Sequence, residues 1–238
     1  MNQSAALVIT PVKDSIETTI STARSIAISD IKVSHVIFDD FSNEDTVAQL
    51  KKYQAELGYA LIHLRDLTDH PSPNYKLVLE KAQQRALDQQ LPLIIVESDV
   101  IVKKNTFSAL LNTLHENPNA GLIGAITVDQ NEEVNFPYLK FKGVEGRVLK
   151  TKRSLSFCCT LISNRFLQSF DFTTLDQNKN WYDVFISHQA ISMGFENIVL
   201  MDTTVFHQPH GSRPWKALKY KNPIKYYFLK FWKGLDKI

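Results

Sequence analysis

The chain has 238 residues, of which 44 % are hydrophobic and 22 % charged, with 27 basic against 25 acidic side chains. That balance excludes a disordered, collagen-like or disulfide-framework protein, and the length suffices to bury roughly 70–75 % of the unfolded surface. No run approaches the ~20 apolar residues that would span a bilayer, and residues 1–6 lack a basic start and a cleavage pattern, so neither secretion nor membrane insertion is expected.

The first apolar run, 5–10, is β-rich and is expected to stop at Pro11. Beyond Asp14, residues 15–27 place Ile16, Ile20, Ala23 and Ala27 on one helical face. A second strand over 33–38 ends in Asp39 and Asp40. Residues 44–57 predict a helix stopped by Gly58, and 59–64 a third strand. Two prolines make 69–74 a loop before a helix at 76–90. A buried strand at 91–96 then runs into Glu97-Ser98-Asp99. Strands and helices thus alternate through the first hundred residues, the pattern of a parallel doubly wound sheet. Such sheets bind ligands beyond the carboxyl ends of their strands, and here those ends carry Thr10-Pro11-Val12, Asp39-Asp40 and Glu97-Ser98-Asp99.

The second half is less regular. A helix is expected at 106–117, a strand at 120–128, turns and hairpins over 134–147, and a strand at 156–163 followed by a short helix at 164–170. A helix over 181–193 ends at Gly194, a strand follows at 197–201, and the segment 205–212 contains His207, His210 and Ser212. Cys158 and Cys159 are neighbours. Their Cα atoms lie ~3.8 Å apart, short of the ~4.4 Å minimum usual for a disulfide, so reduced and packed thiols are expected, as suits a cytosolic protein. They lack CxxC or metal-ligand spacing.

In Glu97-Ser98-Asp99 the acid-x-acid spacing points both carboxylates to one side of an extended chain. Hard divalent cations take such oxygen ligands together with substrate phosphates. Alone, the tripeptide reads rather as a strand-end turn with solvated acids.

In context, the chain resembles the family 2 glycosyltransferases of the GT-A fold. The resemblance rests on Thr10-Pro11-Val12 after the first strand and on Val36-Ile-Phe-Asp-Asp-Phe-Ser42, which follows the family's Asp-Asp-x-Ser pattern. Glu97-Ser98-Asp99, Tyr182-Asp183, Gly194 and the His207…Ser212 spacing then fall in the family's order, over about residues 5–212. The implied fold is an α/β, Rossmann-like and mainly parallel central sheet flanked by helices. It would form one catalytic domain over 1–212, with a nucleotide-sugar half at about 1–100 and an acceptor half at about 101–212.

Position by position, the resemblance implies that Thr10 and Val12 line the nucleotide pocket and that Asp40, with Asp39, holds the base or ribose. Asp99 would bind Mn²⁺ or Mg²⁺, Glu97 and Ser98 would face the sugar or ribose, and His207 or His210 would complete the metal or diphosphate site. Asp183 would be the base of an inverting transfer from a nucleotide-sugar, UDP-linked as a first expectation, to a hydroxyl of a glycan, lipid-linked glycan or glycoprotein. Pro73-Asn74-Tyr75 departs from the family's Asn-x-Gly loop, Tyr182 replaces a Glu, and His188 stands nearest the family's downstream Arg.

Blander roles stay open at each position. Asp39 and Asp40 would also suit a loop cap before Glu44, Asp183 a first-turn helix acid, and His207 a core histidine beside Phe206. His35, His63, His70 and His115 read as structural or surface residues. The cluster Phe136-Pro137-Tyr138 with Phe141 suits either a core or an acceptor platform.

From Arg213 to Ile238 eight basic residues face one acid, a net +7, whereas residues 1–212 sum to −5. Localised charge excludes a general nucleic-acid surface and points to one anionic contact. Ile224, Tyr227, Phe228, Phe231 and Leu235 recur at helical spacing beside Trp232. A basic aromatic helix over 213–238 suits an anionic membrane surface, placing the protein in the cytoplasm and peripherally on the inner face of the cell membrane. Packing on its own domain or on another subunit is the competing reading. A catalytically quiet sugar-nucleotide or membrane-binding module, partnering an active transferase, is the non-enzyme alternative. A nucleotidyltransferase would call for a Gly/Arg-rich loop after the first strand, which is lacking.

Overall fold

The structure, a computed structural model, describes residues 4–178 and 181–208 together with 222 and 225. The chain divides into two compact units, Met1–Gln208 and Pro209–Ile238. The expected tail at 213–238 lies outside the described residues, apart from the exposed Asn222 and Lys225.

In the first unit the chain alternates β1 (Leu7–Val12), α1 (Ile16–Ala27), β2 (Ser34–Asp39), α2 (Glu44–Leu57), β3 (Ala60–His63), α3 (Tyr75–Asp88) and β4 (Leu93–Val96). Local chemistry sets several boundaries. The Asn43 side chain accepts the Thr46 N–H at 2.8 Å and starts α2, a cap worth ~1 kcal/mol. Gly58 ends the same helix at φ 72°, a conformation that costs a glycine little. Thereafter come β5 (Val100–Ile101), α4 (Thr106–Glu116), β6 (Ala120–Val128), β7 (Val148–Thr151), β8 (Cys159–Ile162), α5 (Asn164–Ser169), α6 (Tyr182–Ser192) and β9 (Glu196–His207).

One sheet runs in the order β3-β2-β1-β4-β8-β6-β9-β5, with β7 also on β9. The strands β3, β2, β1 and β4 are mutually parallel, and β8 enters antiparallel between β4 and β6. β6 and β9 are again parallel. Both faces are covered, so the inner strands read as unbroken apolar runs rather than alternating ones. Leu7 and Ile9 pack with α3, α5 and α6, through Leu79, Phe166 and Ile186. Ala6 and Val8 face the opposite way, toward Phe107 of α4 and Ile26 of α1. Each such Leu, Ile or Phe contributes ~1.5–3 kcal/mol by leaving water.

Three expectations are corrected. β1 passes through Pro11 instead of stopping there. Its pairing with β4 ends at Ile9, while pairing with β2 continues to Val12, so Pro11 lies where one side of the strand needs no N–H. Residues 197–201 and 205–207 belong to one strand, β9, kinked by a register shift between Ala125 and Ile126 on its partner. Ala27 is exposed and Ile26 is buried in its stead.

A buried glutamine ties α3 to the chain beyond α5. Gln83 Nε2 donates to the Leu167 and Phe170 carbonyls at 2.8 and 2.6 Å, and its Oε1 accepts the Phe172 N–H at 2.8 Å. This clasp anchors the segment that leads into α6.

Candidate active site

At the carboxyl end of β2 the acids are held by short-range bonds. Asp39 is fully buried; Oδ1 accepts the Ser42 N–H at 3.1 Å and Oδ2 lies 2.8 Å from His63 Nδ1. Asp40 accepts from Ser72 Oγ at 2.7 Å, from the Asn74 N–H at 2.9 Å and from Asn74 Nδ2 at 2.8 Å. It thereby clamps the proline loop to the start of α3. Between them and α2, Phe41 sits at φ 58°, an uncommon conformation for a side-chain-bearing residue. Its carbonyl accepts Lys13 Nζ at 2.6 Å, and the Arg65 guanidinium stands 5.9 Å from its ring centre.

Thr10 and Val12 turn their side chains into packed layers. Thr10 Oγ1 is 3.1 Å from His35 Nε2, and burial pulls that imidazole down to about 3, leaving it neutral. Val12 packs with Ala23, Ile37 and Leu50. The Val12 carbonyl accepts the Asp40 N–H at 2.8 Å.

The second cluster forms beyond the end of β4, where β5 meets the end of β9. Directly after Glu97-Ser98-Asp99, β5 pairs antiparallel with the end of β9, Val100 opposite His207. That register carries His207 Nε2 to 3.2 Å from Asp99 Oδ2, although 108 positions separate them in sequence. The Gln208 N–H closes the junction on the Asp99 carbonyl at 2.8 Å. His207 Nδ1 lies 2.8 Å from the Phe136 carbonyl, so Nδ1 carries the proton toward it and Nε2 points to Asp99. Burial by itself lowers the His207 imidazole, but its bond to Asp99 and the charge there, with Phe136 and Glu97, carry it above its ordinary value. Asp99 is 2 % exposed and His207 8 %. Ser98 is half-buried between its acidic neighbours.

Sequence reasoning missed one member. Cys158, at the entrance to β8, donates its thiol to Glu97 Oε2 at 3.4 Å, while the Glu97 N–H bonds the Cys158 carbonyl at 3.0 Å. Glu97, Cys158 and His207 bring ligand atoms within 4.8 Å of one another. No local signal announces this, because β8 inserts beside β4 from 61 residues away. Both cysteines pack in the cluster around Phe107 and Val8, and burial drives the Cys159 thiol up to about 12. The packing expectation therefore describes Cys159 fully and Cys158 only in part. Nearby, Tyr138 accepts the Ser156 N–H at 3.1 Å, and a Cβ on Gly124 would fall 2.7 Å from that hydroxyl. Among the described residues, buried Asn135 Oδ1 and Gln208 Nε2 beside this cluster lack hydrogen-bond partners.

The donor set suits a divalent cation. It offers two carboxylates and an imidazole whose far nitrogen is already fixed by a carbonyl, the usual support of a ligating histidine. Among the described residues, Glu97, Cys158 and His207 bring their ligand atoms close enough together to hold such an ion, and Asp99 stands against His207. His210 lies outside the described residues.

Asp183 occupies the first turn of α6, with Oδ1 accepting the Val184 N–H at 2.9 Å. α6 runs back across the sheet toward the start of β9, so its own start stands at the carboxyl edge. Side chains tie it there: Tyr182 stacks on Tyr75 at 6.2 Å, one residue beyond the Asn74 that Asp40 clamps. Tyr182 also donates to the Asp176 carbonyl at 3.1 Å. Trp181 is exposed beside Asp183, and His188 is exposed one turn onward. His63 and Asn74 join as partners of the two β2 acids. Phe141 and Tyr138 are buried core, whereas Phe136 is 41 % exposed.

Residues 8–199 match the model of the family described as glycosyl transferase family 2. No curated protein matches the sequence significantly. Among solved structures, the chain is similar to a mannosyltransferase from Pyrobaculum calidifontis in complex with GDP-Man and Mn²⁺, at TM-score 0.66 and 12 % identity, over 93 % of this chain and 61 % of that one. It is similar to TarS 1–349 of S. aureus in complex with UDP-GlcNAc, at TM-score 0.65 and 18 % identity, over 87 % and 59 %. It is also similar to GalNAc-T7 with UDP, GalNAc and Mn²⁺, at TM-score 0.64 and 12 % identity, over 88 % and 44 %. The chain thus spans about 60 % of the length of the first two proteins and less of the third.

Proposed function

Since this chain belongs to glycosyltransferase family 2, we propose that it transfers a sugar from a nucleoside-diphosphate sugar to an acceptor hydroxyl, with inversion at the anomeric carbon. The reading is supported by the sheet topology, in which the ends of β2 and β4 and the start of α6 fall at the carboxyl edge and carry Asp39-Asp40, Glu97 with Asp99, and Asp183. The donors bound to structural neighbours, GDP-Man and UDP-GlcNAc, belong to this class. A UDP-sugar is the first choice, and a glycan, lipid-linked glycan or protein supplies the hydroxyl.

In this reading Asp183 accepts the acceptor proton, the freed oxygen forms a bond to the anomeric carbon, and the bond from that carbon to the diphosphate breaks. Asp40 and the main chain at Val12 bound the nucleotide, with the Asp40 clamp setting the loop that faces it. Asp99 and His207 would hold Mn²⁺ or Mg²⁺, which supplies positive charge opposite the leaving diphosphate. Glu97 and Ser98 would face the donor's sugar or ribose.

A thermal-shift panel of UDP-, dTDP-, GDP- and CMP-sugars with and without Mn²⁺ tests the donor assignment. A donor at 100 times its Kd stabilises by ~2.7 kcal/mol, or about 5–11 °C for a chain of this size. Calorimetry should show that the shift needs Mn²⁺ in the wild type and that Asp99→Ala removes the need. Equal nucleotide affinity in excess EDTA and in Mn²⁺ would sink the metal assignment.

The +7 segment 213–238 directs the enzyme to anionic bilayers in this reading. Among the described residues no helix is long and apolar enough to cross a membrane. Full-length protein should co-sediment with acidic vesicles, less so at high salt, and a version ending at Ser212 should stay in the supernatant. Equal pelleting of both removes the membrane assignment.

A further inference from the structure

We propose that Cys158 is a metal ligand, so that the cluster at β4, β8 and β9 takes a thiophilic divalent ion such as Zn²⁺ or Co²⁺ on Glu97, Cys158 and His207. The inference rests on the metal reading above and deepens it: His207 keeps its role, and for a thiophilic ion Glu97 turns from the donor to the metal beside Cys158.

The geometry carries it. Tetrahedral zinc with bond lengths of ~2.3 Å to sulfur and ~2.0–2.1 Å to oxygen and imidazole nitrogen separates sulfur from oxygen by about 3.5 Å and nitrogen from oxygen by about 3.3 Å. Cys158 Sγ lies 3.4 Å from Glu97 Oε2, close to that sulfur–oxygen separation. The three ligand atoms of Glu97, Cys158 and His207 fall within 4.8 Å, so contractions of about 1 Å or so would complete the set. Each member is anchored independently of a metal. Cys158 is fixed by its carbonyl on the Glu97 N–H, and His207 by Nδ1 on Phe136.

Chemistry then separates the ions. Mg²⁺ and Mn²⁺ prefer oxygen and gain little from sulfur, whereas a thiolate selects zinc-like ions. On binding, a metal–sulfur bond forms and the thiol proton passes to solvent; no electron changes hands.

Titrating Co²⁺ into the metal-free, full-length protein reads the bond directly. The expected result is a sulfur-to-cobalt charge-transfer band in the near ultraviolet, displaced by Zn²⁺. Cys158→Ser should lose the band and Cys159→Ser should keep it. Zn²⁺ affinity in Cys158→Ser should fall by at least ~10-fold, the scale seen when even an outer partner of a ligand is lost. Mn²⁺ affinity should stay within about twofold, since oxygen and nitrogen donors remain. Co²⁺ binding to the wild type without the band overturns the sulfur ligand and leaves the Asp99–His207 reading standing. Failure of both Co²⁺ and Mn²⁺ to bind overturns both. The wild-type spectrum decides the matter even if a variant misfolds.

Discussion

Asp183→Asn should slow sugar transfer by ~10²–10⁴-fold while leaving donor affinity nearly unchanged, because the substitution keeps the side chain's shape and removes its basicity. The carboxylate stands in the first turn of α6, at the carboxyl edge of the sheet, where the stack of Tyr182 on Tyr75 fixes it relative to the loop clamped by Asp40. Loss of a group used only while the acceptor oxygen attacks lowers kcat and spares binding. Initial rates at saturating donor, with donor Kd measured separately by calorimetry, distinguish the two. A wild-type rate in the variant would return Asp183 to the role of a helix-start acid, an effect of ~0.3–1 kcal/mol on stability alone.

The largest stability effect is expected at Gln83, a buried neutral side chain. Gln83→Leu keeps the volume but strips the Leu167 and Phe170 carbonyls and the Phe172 N–H of their shared partner inside the core. Each buried main-chain group left unpaired costs about 1–3 kcal/mol, so a loss of about 3–5 kcal/mol is expected. For a chain of this length that lowers Tm by about 6–20 °C. Differential scanning calorimetry checks it, and a drop under about 2 °C would show that the segment beyond α5 is held by its phenylalanines instead. Because this segment precedes Asp176, whose carbonyl receives the Tyr182 hydroxyl, the variant should also blur the position of Asp183.

The α/β class, the helix over 44–57 with its Gly58 stop, and the strand over 120–128 were legible in the sequence. They depend on chemistry a few residues long: apolar periodicity, an asparagine cap and a glycine able to turn left-handed. The acids at strand ends were legible too, because doubly wound sheets bring those ends to one edge whatever else the chain does. Tertiary structure alone decided their partners. Asp39 belongs with His63 and Asp40 with Asn74 because β2, β3 and α3 converge there, not because any spacing says so. Thr10 and Val12 lie where the motif placed them, yet strand alternation and the packing of α1 and α2 turn their side chains inward. Pro11 sits within β1 because β4 ends early beside it. His207 meets Asp99 through two residues of β5, and Cys158 meets Glu97 only because β8 inserts antiparallel between two otherwise parallel halves. Local sequence specifies where a strand or helix can form. Long-range pairing decides which side chains share a site, since it balances loop-closure entropy against contacts that exist only after the sheet closes.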